Sequence, residues 1–139
     1  MQWLFYAFLS AFFAGLVALF GKMGISGVDT TMATTVRAGI MFLFLGLVVL
    51  FEKKVSLINQ LDSKAMLFIL LSGIAGALSW LAYFLALKYG KISQVAPIDR
   101  LSVIFAVILA FLFLSETVSW KVVIGMIIMV IGSILVVLG

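Results

Sequence analysis

An all-α integral membrane protein of five transmembrane helices is the fold class predicted here, and three observations predict it. Of 139 residues, 66% are hydrophobic and 10% charged, where an ordinary soluble domain carries about 25% charged residues. Mean hydropathy is +1.40. Apolar runs of about 20 residues, enough for a helix to cross a hydrocarbon core of about 30 Å, recur near residues 3–20, 30–51, 65–88, 93–114 and 120–138 with short polar links between them. At that spacing a single transmembrane domain fills residues 1–139.

The composition also excludes chemistry. With no cysteine and no histidine, there is no disulfide, no thiol nucleophile, no thiolate or imidazole metal site and no histidine proton relay. No cofactor or metal is expected. The net charge of +4 does not point to nucleic acid, because the lysines cluster at span ends, where they reach lipid headgroups and set topology. No nucleophile and base pair or phosphate-cradling loop is present, so an enzyme is not expected.

The first span, Trp3 to Phe20, has no Lys or Arg before it and lacks the basic region of a cleavable signal peptide. Ala7, Ala11, Ala14, Gly15 and Ala18 give it a face of small residues that lets another helix come close. Gly21 to Asp29 reads as a loop, with Asp29 or Thr30 capping the second span. That span, Thr30 to Phe51, holds one charge, Arg37, whose Cα lies roughly 10 Å in at 1.5 Å per residue. A snorkelling, topological role and a binding role both fit it, and Thr30, Thr31, Thr34 and Thr35 make its entrance polar. Glu52 to Lys64 is the longest loop, with Asp62 or Ser63 placed to cap the third span.

The third span, Ala65 to Lys88, carries a stripe of Gly73, Gly76, Ala77, Trp80, Tyr83, Phe84 and Leu87. Small residues at one end suit tight packing, and aromatics at the other suit a pocket. Trp80 lies too far inside Lys88 for a simple interfacial girdle, which makes Trp80 and Tyr83 candidates to line a binding site. In the fourth span, Ser93 to Leu114, the only proline, Pro97, precedes Asp99 and Arg100. If Pro97 opens the helix, Asp99 falls in the first turn and suits its dipole; if the helix begins near Ser93, Pro97 removes a backbone bond and bends it. Asp99 then has a capping, a transport or an interfacial role. Arg100 has no comparable structural explanation. Gln94 and Ser102 are the polar side chains flanking this pair. Beyond Ser115 to Ser119, the fifth span places Gly125, Gly132 and Gly139 on one side of the helix, a seam for a second protomer or for another helix of the same chain.

Two regularities bear on function. At a constant offset, Thr30, Arg37 and Phe51 of the second span fall on Ser93, Arg100 and Leu114 of the fourth, and Ala14-Gly15 fall near Ala75-Gly76, so spans one and two read as a weak repeat of spans three and four. Charge is balanced across the membrane, with Lys53, Lys54, Lys64 and Lys121 on one side and Lys22, Lys88 and Lys91 on the other. The positive-inside rule therefore gives almost no orientation. A chain with no preferred orientation inserts both ways, and two opposed copies recreate an inverted-repeat transporter.

Over nearly its full length the chain resembles a single EamA domain of the drug/metabolite transporter superfamily, in its half-size, five-span form. The residues that carry the resemblance are Arg37, Ala86-Leu87-Lys88-Tyr89-Gly90 closing span three, Val95-Ala96-Pro97 opening span four, Glu116 in the last loop, and Gly125 and Gly132 in span five. The chain departs from many such domains, which carry a proline over Leu101 to Ile104. The resemblance implies a bundle of ten spans, usually two domains in tandem with inverted topology, that exports small metabolites, amino acids or drugs. For this chain the expectation is a multi-pass protein of a prokaryotic inner (plasma) membrane, working as an antiparallel homodimer by alternating access, with the lipid bilayer and a small solute as its other partners. Arg37 and Arg100 would hold an anionic or zwitterionic solute, Trp80 and Tyr83 its apolar part, Gln94, Asp99 and Ser102 would complete the substrate-binding set with Asp99 as the proton-coupling acid, and Gly125 and Gly132 would pack the dimer or the helices. A reading from another class is a non-transporting membrane subunit or assembly factor of a larger complex.

Because the chain has no cysteine, one introduced at either terminus is a clean topology probe. Labelling of each from both membrane faces is the expected outcome; labelling from one face alone excludes dual insertion.

Overall fold

A computed structural model describes residues 2–139. It contains helices α1 (Gln2–Gly24), α2 (Thr30–Phe51), α3 (Ser63–Tyr89), α4 (Ile92–Asp99), α5 (Ser102–Leu114) and α6 (Trp120–Leu138), with a 3-10 turn at Val55–Gln60 between α2 and α3, and no strand among the described residues. Counting Ile92–Leu114 as one interrupted span, 5 stretches are long and apolar enough to cross a membrane. Their large side chains point outward, Phe42, Phe51 and Phe113 being 76%, 85% and 78% exposed. Lipid can cover such surfaces as well as protein can.

The helix ends follow local chemistry. Asp29 accepts the Met32 N–H at 2.9 Å and Asp62 accepts the Ala65 N–H at 2.8 Å, so both acids cap the helices that follow them. Thr34 and Thr35 return their hydroxyls to the Thr30 and Thr31 carbonyls at 2.7 and 2.9 Å. Much of the polarity at the start of α2 is therefore taken up within the helix. α5 ends on Ser115 in the left-handed region, φ 54°. α1 runs further than its sequence suggests: Gly21 and Lys22 are helical, and Ile25 N–H still reaches the Gly21 carbonyl at 3.0 Å. The loop shrinks to Ile25–Asp29, where Gly27 takes φ +76°.

The chain divides into two compact units, one of Phe20–Lys88 and one of Met1–Leu19 with Tyr89–Gly139. In the first, Ile25, Thr30, Thr34, Phe84 and Leu87 are buried, and the Lys22 ammonium donates to the Leu87 carbonyl. The close approach in this unit is at Gly21, where an added Cβ would lie 2.5 Å from the Phe84 ring. This corrects the expectation that the small residues of α3 pack tightly, since a Cβ on Gly73 or Gly76 would meet nothing within 4 Å.

In the second unit α4 packs on α6, and the fourth span breaks. α4 begins at Ile92, with the Gln94 side chain accepting the Lys91 N–H at 3.1 Å. Of the two readings of this span, the one in which the helix begins near Ser93 holds: Pro97 sits inside the helix and does not open it, and Asp99 ends α4 instead of lying in a first turn. That removes the capping role read for Asp99, because the dipole at a helix C-terminus disfavours an anion. Past Asp99 the backbone tightens: Leu101, Val103 and Ile104 N–H donate to the carbonyls of Ile98, Arg100 and Leu101 at 3.0, 3.2 and 2.9 Å, three residues back rather than four. An unbroken α-helix would pair the Pro97 carbonyl with Leu101 N–H. Here it accepts the buried Ser133 hydroxyl of α6 at 3.2 Å. The repeat seen in sequence thus holds for the span ends, Phe51 and Leu114, while α2 is continuous and its counterpart is not.

Ser133→Ala leaves the Pro97 carbonyl without its partner. A loss of roughly 0.6–1.5 kcal/mol is expected in reversible detergent unfolding, with Ser133→Thr retaining most of the stability.

Candidate functional site

On α2, Thr30, Thr34 and Arg37 follow at spacings of four and three residues and share one face. The two threonines are buried and hydrogen-bonded within the helix. Arg37, one turn deeper, meets an aromatic cluster on α3. Its guanidinium carbon lies 3.6 Å from the centre of the Trp80 ring and 5.6 Å from that of Phe84. The first distance is van der Waals contact between stacked planar groups, and inside a span the π face supplies the favourable electrostatics that water would supply outside.

The seat is built from helical spacing. Trp80, Tyr83 and Phe84 occupy positions i, i+3 and i+4 of α3. Trp80 meets Tyr83 edge-on, with centroids 5.6 Å apart and planes at 83°. Phe84 lies 5.8 Å from Trp80 and 6.1 Å from Tyr83. Phe84 is only 2% exposed and is held from below by Gly21, so the cluster has a fixed floor. Stacking on one face of a guanidinium leaves its in-plane N–H fork able to take a carboxylate or phosphate by paired bonds.

Of the residues singled out in sequence, Arg37, Trp80 and Tyr83 are brought together in this unit. Gln94, Asp99, Arg100 and Ser102 belong to the other. There, the carbonyl oxygen of Gln94 is committed to the start of α4. Asp99, Arg100 and Ser102 are exposed at the break between α4 and α5, and neither charge forms an ion pair among the described residues. A Cβ on Gly125 or Gly132 would meet nothing within 4 Å, so neither marks a close helix approach within the chain. Among the described residues no three of His, Cys, Asp and Glu cluster where a metal could bind.

Three functional neighbours escaped the sequence reading. Gly21 and Lys22 read as loop because a glycine and a charge end the apolar run at Phe20, yet α1 continues through Gly24. Ser133 carried a signal that was passed over, as the one hydroxyl in the apolar stretch of α6.

The profile of the EamA-like transporter family matches residues 1–138. A relative from Sinorhizobium sp, described as an uncharacterized transporter in the cobO 3′ region, is 38% identical over 115 residues, covering 83% of this chain and 82% of its own. No solved structure matches the chain significantly.

In a Trp3→Phe, Trp120→Phe background, Trp80 is the sole indole. Gly21→Ala is expected to displace Phe84 and raise the quenching of Trp80 fluorescence by acrylamide at least twofold, whereas Gly73→Ala leaves it unchanged.

Proposed function

We propose that this chain, which belongs to the EamA-like transporter family, is a secondary transporter that exports a small metabolite, amino acid or drug-like solute across a prokaryotic inner membrane. The observation that carries the reading is Arg37 seated on Trp80 within a membrane span. A cation at that depth is costly unless it is used. Arg37 takes the carboxylate or phosphate of an anionic or zwitterionic solute, and Trp80 and Tyr83 pack the apolar part.

The balanced lysines at the span ends support working copies inserted in opposite senses as an antiparallel homodimer, in which alternating access exchanges the two faces. Asp99, relieved of a capping duty, is the one acid within a span and is the group proposed to couple transport to protons. Arg100, which has no structural duty of its own in this unit, is proposed as a second basic group for the anionic part of a solute. Gln94 and Ser102, in the same unit as Asp99, are proposed as polar groups of the pathway, and Gly125 and Gly132 as the helix surface for the second copy.

Counterflow of labelled amino acids and small carboxylates in proteoliposomes tests the assignment. Arg37→Ala is expected to lower flux of the accepted solute tenfold or more, in line with a charge-assisted bond worth about 1.5–3 kcal/mol. Arg37→Lys recovers only part of it, because lysine keeps the charge and loses the flat fork. Flux unaffected by both Arg37→Ala and Arg100→Ala would sink the basic-site assignment.

A further inference from the structure

We infer that the link between α2 and α3 is a membrane-surface anchor, whose 3-10 turn lies in the headgroup region of an anionic bilayer with one apolar face inserted. The link is the longest between helices of the chain, and the turn within it, Val55–Gln60, has no buried residue.

The turn is amphipathic by its own geometry. A 3-10 helix has three residues per turn, so side chains three apart lie above one another. Val55, Ile58 and the capping residue Leu61 therefore share an apolar face, and Ser56 and Asn59 share a polar one. Leu61 N–H donates to the Ile58 carbonyl at 3.3 Å, which keeps it in step with the turn. Val55, Ile58 and Leu61 are 51%, 63% and 42% exposed, so the chain itself does not cover this face. The link joins the ends of two spans, Thr30–Phe51 and Ser63–Tyr89, and so stands at headgroup depth. At about 2 Å per residue the turn is roughly 12 Å long and fits flat along the surface. There the acyl boundary buries the apolar face while the polar one stays wet. Three side chains are too few for a stable protein interface.

Charge selects the lipid. Lys54 is paired with Glu52 at 2.7 Å, and Asp62 gives one oxygen to the Ala65 N–H at the start of α3. Lys53 and Lys64, exposed on either side of the turn, form no ion pair among the described residues. Lys64 lies in the first turn of α3, where the helix dipole favours an anion. A lipid phosphate at that point is attracted by the side chain and by the helix end together. The end of α2 does not oppose it, because Glu52, Lys53 and Lys54 N–H close on the Val48, Leu50 and Val49 carbonyls at 2.9, 3.1 and 3.0 Å. Lys53 holds φ 55°, so a lysine stands where the backbone alone favours glycine. Lysines flanking an inserted apolar face suit anionic headgroups, with their stems along the apolar boundary and their ammoniums on phosphate.

Full-length protein in nanodiscs tests this without any transported solute. Because the chain has no cysteine, single cysteines introduced along residues 55–61 carry nitroxide labels, whose collisions with oxygen and with a neutral nickel chelate report depth. In discs of phosphatidylglycerol mixed equally with phosphatidylcholine, the oxygen-to-nickel ratio is expected to peak at residues 55, 58 and 61, at least threefold above residues 56 and 59. Lys53→Gln/Lys64→Gln should lower the ratio at residue 58 at least twofold, as should discs of phosphatidylcholine alone, and Lys121→Gln should leave it unchanged. A scan that is water-accessible throughout overturns the inference. So do labels at 55, 58 and 61 shielded from both reagents, which would mean that a protein surface covers the face. Insertion indifferent both to phosphatidylglycerol and to the two lysines also overturns it.

Discussion

Inside a bilayer no water pairs with an exposed backbone N–H or carbonyl, and every other feature of this chain answers to that constraint. It makes each span a helix. It also explains why short polar side chains sit where they do. Asp29 and Asp62 take amides that the starts of α2 and α3 leave unpaired. Lys22 takes a carbonyl in the last turn of α3, and Ser133 takes the one released where the fourth span tightens. The irregular backbone at residues 100–101 survives because a neighbouring helix supplies the missing donor.

The same low dielectric gives the charged groups their meaning. Arg37 is stabilised by contact with a ring rather than by an acid, so its positive charge is not cancelled locally. A carboxylate partner would have consumed the fork on which the proposed anion recognition depends. Aromatic seating and anion recognition are therefore compatible on one side chain. The floor of the seat is Phe84, and its height is set by a glycine on another helix. Family membership supplies the class of activity, and this geometry supplies the residue on which to test it.

The sequence discloses what is local. Hydropathy marks the spans, and Asp29 and Asp62 mark helix starts because an Asx cap needs only its own neighbours. The grouping of Arg37 with Trp80 was legible in part, since Trp80 lies too deep for an interfacial girdle and Arg37 is the one charge of its span, although depth alone left a snorkelling role open to the arginine. What was not legible depends on contacts distant in the chain. Nothing around Pro97 says that the break falls after Asp99, because the carbonyl is satisfied from Ser133 on another helix. Small residues were a poor guide to close packing: Gly73, Gly76, Gly125 and Gly132 lie open, and a tight approach occurs instead at Gly21, which composition placed in a loop.

The bond from Ser133 to the Pro97 carbonyl also bears on motion. If the fourth span straightened, Leu101 N–H would pass from Ile98 to Pro97, as an unbroken helix demands. Ser133 would lose its acceptor and could turn back to the Met129 carbonyl four residues behind it in α6, as helical serines do. Each donor changes partner and none is stranded. Bent and straight forms of this span then differ by a swap of hydrogen bonds rather than by their number, which leaves the joint free to act as a hinge with little enthalpic bias of its own.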